Sequence, residues 1–253
     1  MLDRVQLKRE AKEIVRGARV SAYLFTLLYF AIINVLDVIN TYVNASVPAY
    51  MEVYFPGVPV PEIFTRAMEL PGTVILFVSV LVWLLSTVLL AGHTLYHLGV
   101  RRGEEMGYTT LFDGFSFVGK VILLQLVMTL FVSLWTMLFV IPGLIASYRY
   151  RFAMYNLCEN PEMGVMEALA MSCSQTQGYK MDLFVLDLSF LGWSILCVLT
   201  LGVGNIWITP YFTQTELGYF HQIKQMKGIG WFPPSDDAQD GQFHAQDPFG
   251  TGE

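Results

Sequence analysis

Long stretches of this chain carry no Asp, Glu, Lys or Arg. Leu70–Val100, Val121–Tyr148 and Leu188–Thr215 are free of charge, and a shorter clean run, Val20–Leu36, precedes them. Soluble domains space their charges far more closely, whereas runs of this length and polarity suit a hydrocarbon core. The pattern predicts an all-α chain built as a polytopic membrane helical bundle. It predicts about six transmembrane helices in hairpins, plus interfacial amphipathic helices.

The first span is expected over Val20–Ile39 and the second over Gly72–Leu95. Val121–Tyr148 is 28 residues long. As one helix it would extend about 42 Å, well beyond a hydrocarbon core of about 30 Å. Ile141-Pro142-Gly143 lies near its far end. Proline removes a helical hydrogen bond and glycine permits a turn. The third span therefore ends at Val140, and the fourth runs from Leu144 to Cys158. Leu188–Thr215 repeats the design, broken at Leu201-Gly202-Val203-Gly204-Asn205, with a fifth span over Leu183–Leu201 and a sixth over Ile206–Ile223. Two kinked single helices, for four spans, would put Arg149, Arg151 and Lys180 outside together. Six spans return them to the side that holds Arg101, Arg102, Lys120, Lys224 and Lys227. The positive-inside rule favours six, with N- and C-termini cytoplasmic in a multi-pass protein of the cell (plasma) membrane.

The remaining segments read as flanks. Residues 1–19 form a cytoplasmic amphipathic helix with six basic residues against Asp3, Glu10 and Glu13. Its apolar face should rest on the inner leaflet. Thr41–Pro71 is Pro-rich, with Arg66 its only basic residue, and reads as an outer loop with a short helix near Glu62–Glu69. Thr109–Gly119 should lie at the interface, offering Leu111, Phe112, Phe115 and Phe117 to lipid, with Asp113 as a cap. Pro161–Gln177 reads as an amphipathic helix ended by Gly178. The domain organisation is thus 1–19, a six-span membrane domain over 20–227, and a disordered acidic cytoplasmic tail over 228–253.

Composition agrees. Of 253 residues 54% are hydrophobic and 14% charged. The net charge of −6 owes much to Asp236, Asp237, Asp240, Asp247 and Glu253 in the tail. Cys158, Cys173 and Cys197 have no framework spacing and read as free thiols. No cleavable leader is expected, and Val20–Ile39 reads as a retained span.

Charges inside apolar helices are costly and face partners or water. Arg149 and Arg151 fall in the fourth span, Asp187 early in the fifth and Glu216 in the sixth. Counting from Glu159, Lys180 and Lys224 puts Arg151, Asp187 and Glu216 each about 10–12 Å from the cytoplasmic flank. Arg149, Arg151, Asp187 and Glu216 are therefore the candidate intramembrane polar network. It reads either as an ion-pair lock between spans or as a polar cavity for an ion, a headgroup or a substrate anion. His93 and His97 share a helix face. They lack an evident third metal ligand unless Glu104 or Glu105 folds back. There is no Ser/His/Asp order, no metalloprotease helix, no phosphate loop and no basic nucleic-acid patch. No catalytic residue, metal ligand or cofactor-binding residue is identified.

Several strings together resemble a known family. They are Leu111-Phe112-Asp113-Gly114-Phe115, Phe139-Val140-Ile141-Pro142-Gly143-Leu144-Ile145, Asn160-Pro161 with Glu167-Ala168-Leu169, Asp187-Leu188-Ser189-Phe190-Leu191-Gly192-Trp193, Leu199-Thr200-Leu201-Gly202-Val203-Gly204 and Pro210-Tyr211. In this order, with Leu7-Lys8-Arg9-Glu10-Ala11-Lys12 at the start, they are similar to an uncharacterised family of multi-span membrane proteins common in Gram-positive bacteria. That family is catalogued as a domain of unknown function, number nine-seventy-five. The resemblance covers about Met1 to Lys227. It implies a several-helix integral membrane protein and carries no activity, cofactor or catalytic residue. One departure is that Met163–Gln177 has no Lys or Arg, where such proteins are usually basic.

The expected function is a non-enzymatic membrane or envelope support or partner-binding protein. The alternative is a small transporter or channel using the charged layer, and a lipid-modifying enzyme ranks third. The expected partners are the lipid bilayer and a protein bound through the C-terminal tail, with no nucleic acid. The sequence specifies no oligomeric state.

Overall fold

The computed structural model describes residues 3–44, 71–200 and 202–232. The helix expected near Glu62–Glu69, Leu201 and most of the tail lie outside the described residues. The described residues form helices and turns, with no strand among them. Among the described residues, four helical stretches are long and apolar enough to cross a membrane: Ala22–Val43, Gly72–Arg102, Tyr108–Leu138 and Lys180–Leu199.

Helix α1 (Arg4–Gly17) starts at Asp3, whose carboxylate accepts the Val5 and Gln6 amides and so satisfies donors that a helix start leaves open. Leu7, Ala11 and Val15 recur every four residues and form one apolar stripe. That stripe is buried in protein: Leu7 packs on Gly218 of the last helix. The expectation that it rests on the inner leaflet is corrected accordingly. Helix α2 (Ala22–Val43) pairs with α3 (Gly72–Arg102). Phe25 stacks on Tyr96 at 3.7 Å, and the Tyr96 hydroxyl donates to the Val20 carbonyl at 2.6 Å. At their other ends Ser79 donates to Asn40 Oδ1 at 2.9 Å. Helix α3 continues seven residues past the expected Leu95, to a left-handed Gly103 (φ 79°).

Tyr108–Phe117 is a 3-10 segment pressed into α3. Leu111 is fully buried, and a Cβ on Gly92 would lie 1.9 Å from the Leu111 carbonyl oxygen. Leu111 therefore packs on protein rather than lipid, while Phe112 and Phe115 stay exposed. Asp113 contributes its backbone carbonyl, which accepts Ser116 Oγ at 2.7 Å.

Helices α4 (Val118–Leu138) and α5 (Val140–Arg149) meet at Phe139, whose backbone is extended. The break thus falls three residues before Pro142. Proline is tolerated there because the first helical turn has no intrahelical use for its amide. Gly143 matters for a different reason: a Cβ there would sit 2.7 Å from Thr136 Cα, so α5 lies close on the end of α4.

A second break separates α5 from α6 (Ala153–Glu159). Ser172 Oγ accepts the Phe152 amide at 3.1 Å and donates to the Arg149 carbonyl at 2.9 Å. Ser172 lies on α7 (Val165–Thr176). That helix starts later than Pro161, because Asn160 takes Glu162 and Met163 into a turn and Glu167 reaches back to the Gly164 amide at 3.3 Å. Gly178 follows with φ 88°. Helix α8 (Lys180–Leu199) and α9 (Asn205–Lys227) are joined through Gly202 at φ 87°.

One end of the bundle is knitted together. Lys120 Nζ donates to the Pro161 carbonyl at 2.5 Å, and Lys227 Nζ to the Ser174 and Gln177 carbonyls at 2.7 and 2.5 Å. Gln175 donates to the Ile229 carbonyl at 3.0 Å. Elsewhere, at the α4–α5 and α8–α9 connections, Met137 (89% exposed), Val140, Val198 and Leu199 present bare apolar surface.

Candidate functional site

The broken α5–α6 connection puts Arg151 where an unbroken helix would offer only side-chain faces. Its guanidinium meets two carboxylates. Nη1 and Nη2 reach Asp187 Oδ2 and Oδ1 at 2.6 and 2.8 Å, and Nε reaches Glu216 Oε1 at 2.5 Å. The two-pronged contact with Asp187 is the strong, orienting kind. Tyr148 OH donates to Asp187 Oδ2 at 2.7 Å. Arg151 and Glu216 are largely buried, while the Asp187 side chain keeps 32% of its surface.

Arg151, Asp187 and Glu216 are thus brought together, and Arg149 is not. Arg149 Nε contacts Cys173 Sγ at 3.0 Å, at the exposed face of α7. Two residues apart on a helix already point to opposite sides, and the break at Tyr150–Phe152 separates them further. The local count is one cation against two anions. Tyr148, which the sequence reasoning missed, supplies a neutral donor to Asp187.

A cleft of about 390 Å³ opens beside this triad between α8 and α9. Arg151 and Asp187 form one end, Ser194, Asn205 and Thr209 add polar atoms, and Phe190 and Phe212 wall it. It extends toward Asn205 at the α8–α9 connection. Lys8 of α1 sits over the Phe190 ring at 4.3 Å and donates to Ser189 at 2.9 Å. Burial first, then repulsion from Arg4, holds the Lys8 ammonium pKa below its usual value.

A second ion cluster went unread in the sequence. The Glu159 carboxylate, 1% exposed, meets Lys224 Nζ at 2.6 Å and Arg102 at 3.4 Å, with His221 Nε2 at 3.8 Å. Each residue looked like an ordinary helix-end charge. The available signal was the position of Lys224, with Ile223 beside it and Phe220 four residues before it on the same helix; the structure buries both.

His93 and His97 are both buried, with Nε2 atoms 3.3 Å apart. Gln214 Nε2 donates to the His97 carbonyl at 2.8 Å and lies 3.2 Å from His97 Nδ1. No group of three or more metal-binding side chains occurs among the described residues, and Glu104 and Glu105 pair instead with Arg102 and Arg19.

Described residues that are helical, with four helices among them apolar and long enough to cross a bilayer and charges folded onto one another between helices, give the chain the build of a membrane protein. The chain belongs to the family described as "Protein of unknown function (DUF975)", whose model matches residues 1–147 and 136–227. No curated protein and no solved structure matches it.

Proposed function

We propose that this is a six-crossing, multi-pass protein of the cell membrane with both termini cytoplasmic, acting as a non-enzymatic support or partner-binding component. The support for six crossings is that Glu159, at the end of α6, pairs with Arg102 at the end of α3 and Lys224 near the end of α9. A chain that leaves along α4 and returns along α5–α6 accounts for that meeting. The out-and-back pair α8–α9 accounts for Lys227 beside Ser174 and Gln177. The same end then collects Arg101, Arg102, Lys120, Lys224 and Lys227, as cytoplasmic loops do.

The observation that carries the supporting role is the closure of charge onto charge. Arg151 directs its guanidinium nitrogens at Asp187 and Glu216, and Glu159 is enclosed by Lys224 and Arg102. Such a ring of contacts ties helices together. The acidic tail over 228–253 is proposed as the partner-binding segment. A second reading, a small transporter, draws on the cleft beside Asp187.

Cys173 is partly exposed, and Cys158 and Cys197 are buried, so the native chain carries its own reporter. A membrane-impermeant maleimide should label Cys173 only after the cytoplasmic face is opened; labelling of intact cells overturns the topology. Liposomes holding the purified protein should pass no ions or small metabolites, and measurable flux refutes the supporting role in favour of transport. Deletion of 228–253 should release a stoichiometric partner, and an unchanged set of co-purifying proteins removes the tail from the proposal.

A further inference from the structure

We propose that the cleft between α8 and α9 binds the ammonium group of a small organic cation, with Asp187 as its counter-charge. This goes beyond the supporting role and does not require that the ligand cross the membrane. The argument starts from charge. Among the described residues Arg151 is the one cation paired with Asp187 and Glu216, so the triad has one more carboxylate than it has cations. Arg149 contacts Cys173, and Lys8 contacts Ser189 and Phe190, so neither pairs with the two carboxylates. A net charge among apolar helices calls for a counter-ion.

The surplus charge faces the cleft. Of the two carboxylates Asp187 is the more exposed, at 32% against 9% for Glu216, and it lines the cleft. Its oxygens already accept from Arg151 and from Tyr148, which leaves acceptor capacity and no donor. An anionic ligand is disfavoured. Every Arg151 nitrogen, Nε, Nη1 and Nη2, already contacts a carboxylate, so no free fork remains for phosphate or carboxylate. The sequence-based option of a substrate anion is replaced by its opposite.

Size and walls select an organic cation over a bare ion. A volume of about 390 Å³ lies in the range of small-molecule sites and far above the roughly 30 Å³ of a single water. Ser194, Asn205 and Thr209 supply oxygen acceptors for further ammonium hydrogens. Phe190 and Phe212, with ring centroids 5.0 Å apart, offer contact to a short alkyl chain, while Lys8 over Phe190 at 4.3 Å and Arg151 over Phe212 at 5.8 Å already take a cation–ring contact each.

The test is calorimetric titration of the full chain in lipid nanodiscs with n-butylammonium chloride. n-Butanol and sodium butyrate are the neutral and anionic controls, and NaCl and KCl the inorganic ones. Butylammonium should bind, and the four controls should bind at least about tenfold more weakly. Equal binding of butanol means that Asp187 is held neutral, and overturns the proposal. Binding of butyrate overturns the charge argument, and displacement of butylammonium by equimolar NaCl or KCl overturns the organic ligand. Asp187→Asn should weaken binding by about tenfold or more. Because Asp187 also holds Arg151, a second variant guards against simple misfolding. Ser194→Lys places an internal ammonium in the cleft without touching Arg151 and should abolish butylammonium binding. A folded Ser194→Lys protein that binds as the parent does, or no butylammonium binding by the parent, ends the proposal.

Discussion

Ser172→Ala tests how the chain tolerates a broken helix beside Arg151 and its two carboxylates. Ser172 is fully buried and serves both sides of the α5–α6 break, accepting the Phe152 amide and donating to the Arg149 carbonyl. The other near donor to that carbonyl, Thr176 Oγ1 at 3.3 Å, has a single hydrogen and a closer acceptor in the Ser172 carbonyl at 2.9 Å. Leaving a buried N–H without a partner costs about 1–3 kcal/mol. The variant is expected to lose about 2 kcal/mol, with the melting point lowered by about 4–8 °C at roughly 2–4 °C per kcal/mol for a chain of this size. Unfolding can be followed in detergent with a thiol-reactive fluorophore, since Cys158 and Cys197 are buried until the bundle opens. Ser174→Ala is the control. Ser174 is exposed and bonds the Ala170 carbonyl of its own helix, so its loss should stay within about 0.5 kcal/mol. If the two variants melt together, Ser172 does not hold the break, and the account of how Arg151 is positioned fails with it.

Other substitutions probe the remaining contacts. Arg151→Met strands two carboxylates and should cost about 3–5 kcal/mol, read as loss of monodisperse protein; adding Asp187→Asn and Glu216→Gln should restore much of it, and failure to do so argues against the pairing. Glu159→Ala leaves Lys224 buried without its carboxylate and should destabilise by a similar amount in a denaturant melt, whereas breaking the exposed Arg19–Glu105 pair should change stability by less than about 1 kcal/mol. Gly92→Ala would drive a methyl into the Leu111 carbonyl and should exceed the ~1–3 kcal/mol of ordinary overpacking, measured as folded yield, while Gly17→Ala meets nothing within 4 Å and should be neutral.

The charge-free runs made the helices legible, and Pro142 and Gly202 marked the regions where they end. The exact break at Phe139 was not legible, because proline is harmless in a first turn and what pins the fold-back is the closeness of Gly143 to Thr136, a tertiary contact. Counting along helices put Arg151, Asp187 and Glu216 at similar depth. It did not separate Arg149 from Arg151, although the two-residue spacing carried that information. Glu159 and Lys224 were hidden because they are 65 positions apart, and only the folded chain brings them together. The stripe Leu7–Ala11–Val15 was legible as amphipathic, but amphipathicity alone does not tell a lipid face from a helix face.

That stripe has a bearing on biogenesis. Its docking surface lies on α9, which is translated after the other described helices, so α1 must wait through the insertion of those between them. Docking α1 on α9 joins two parts of the chain far apart in sequence, and a ribosome that stops before Gly218 releases a chain with Leu7 still bare. A quality-control protease that recognises exposed apolar helices near the membrane surface would then see unfinished copies and pass over finished ones.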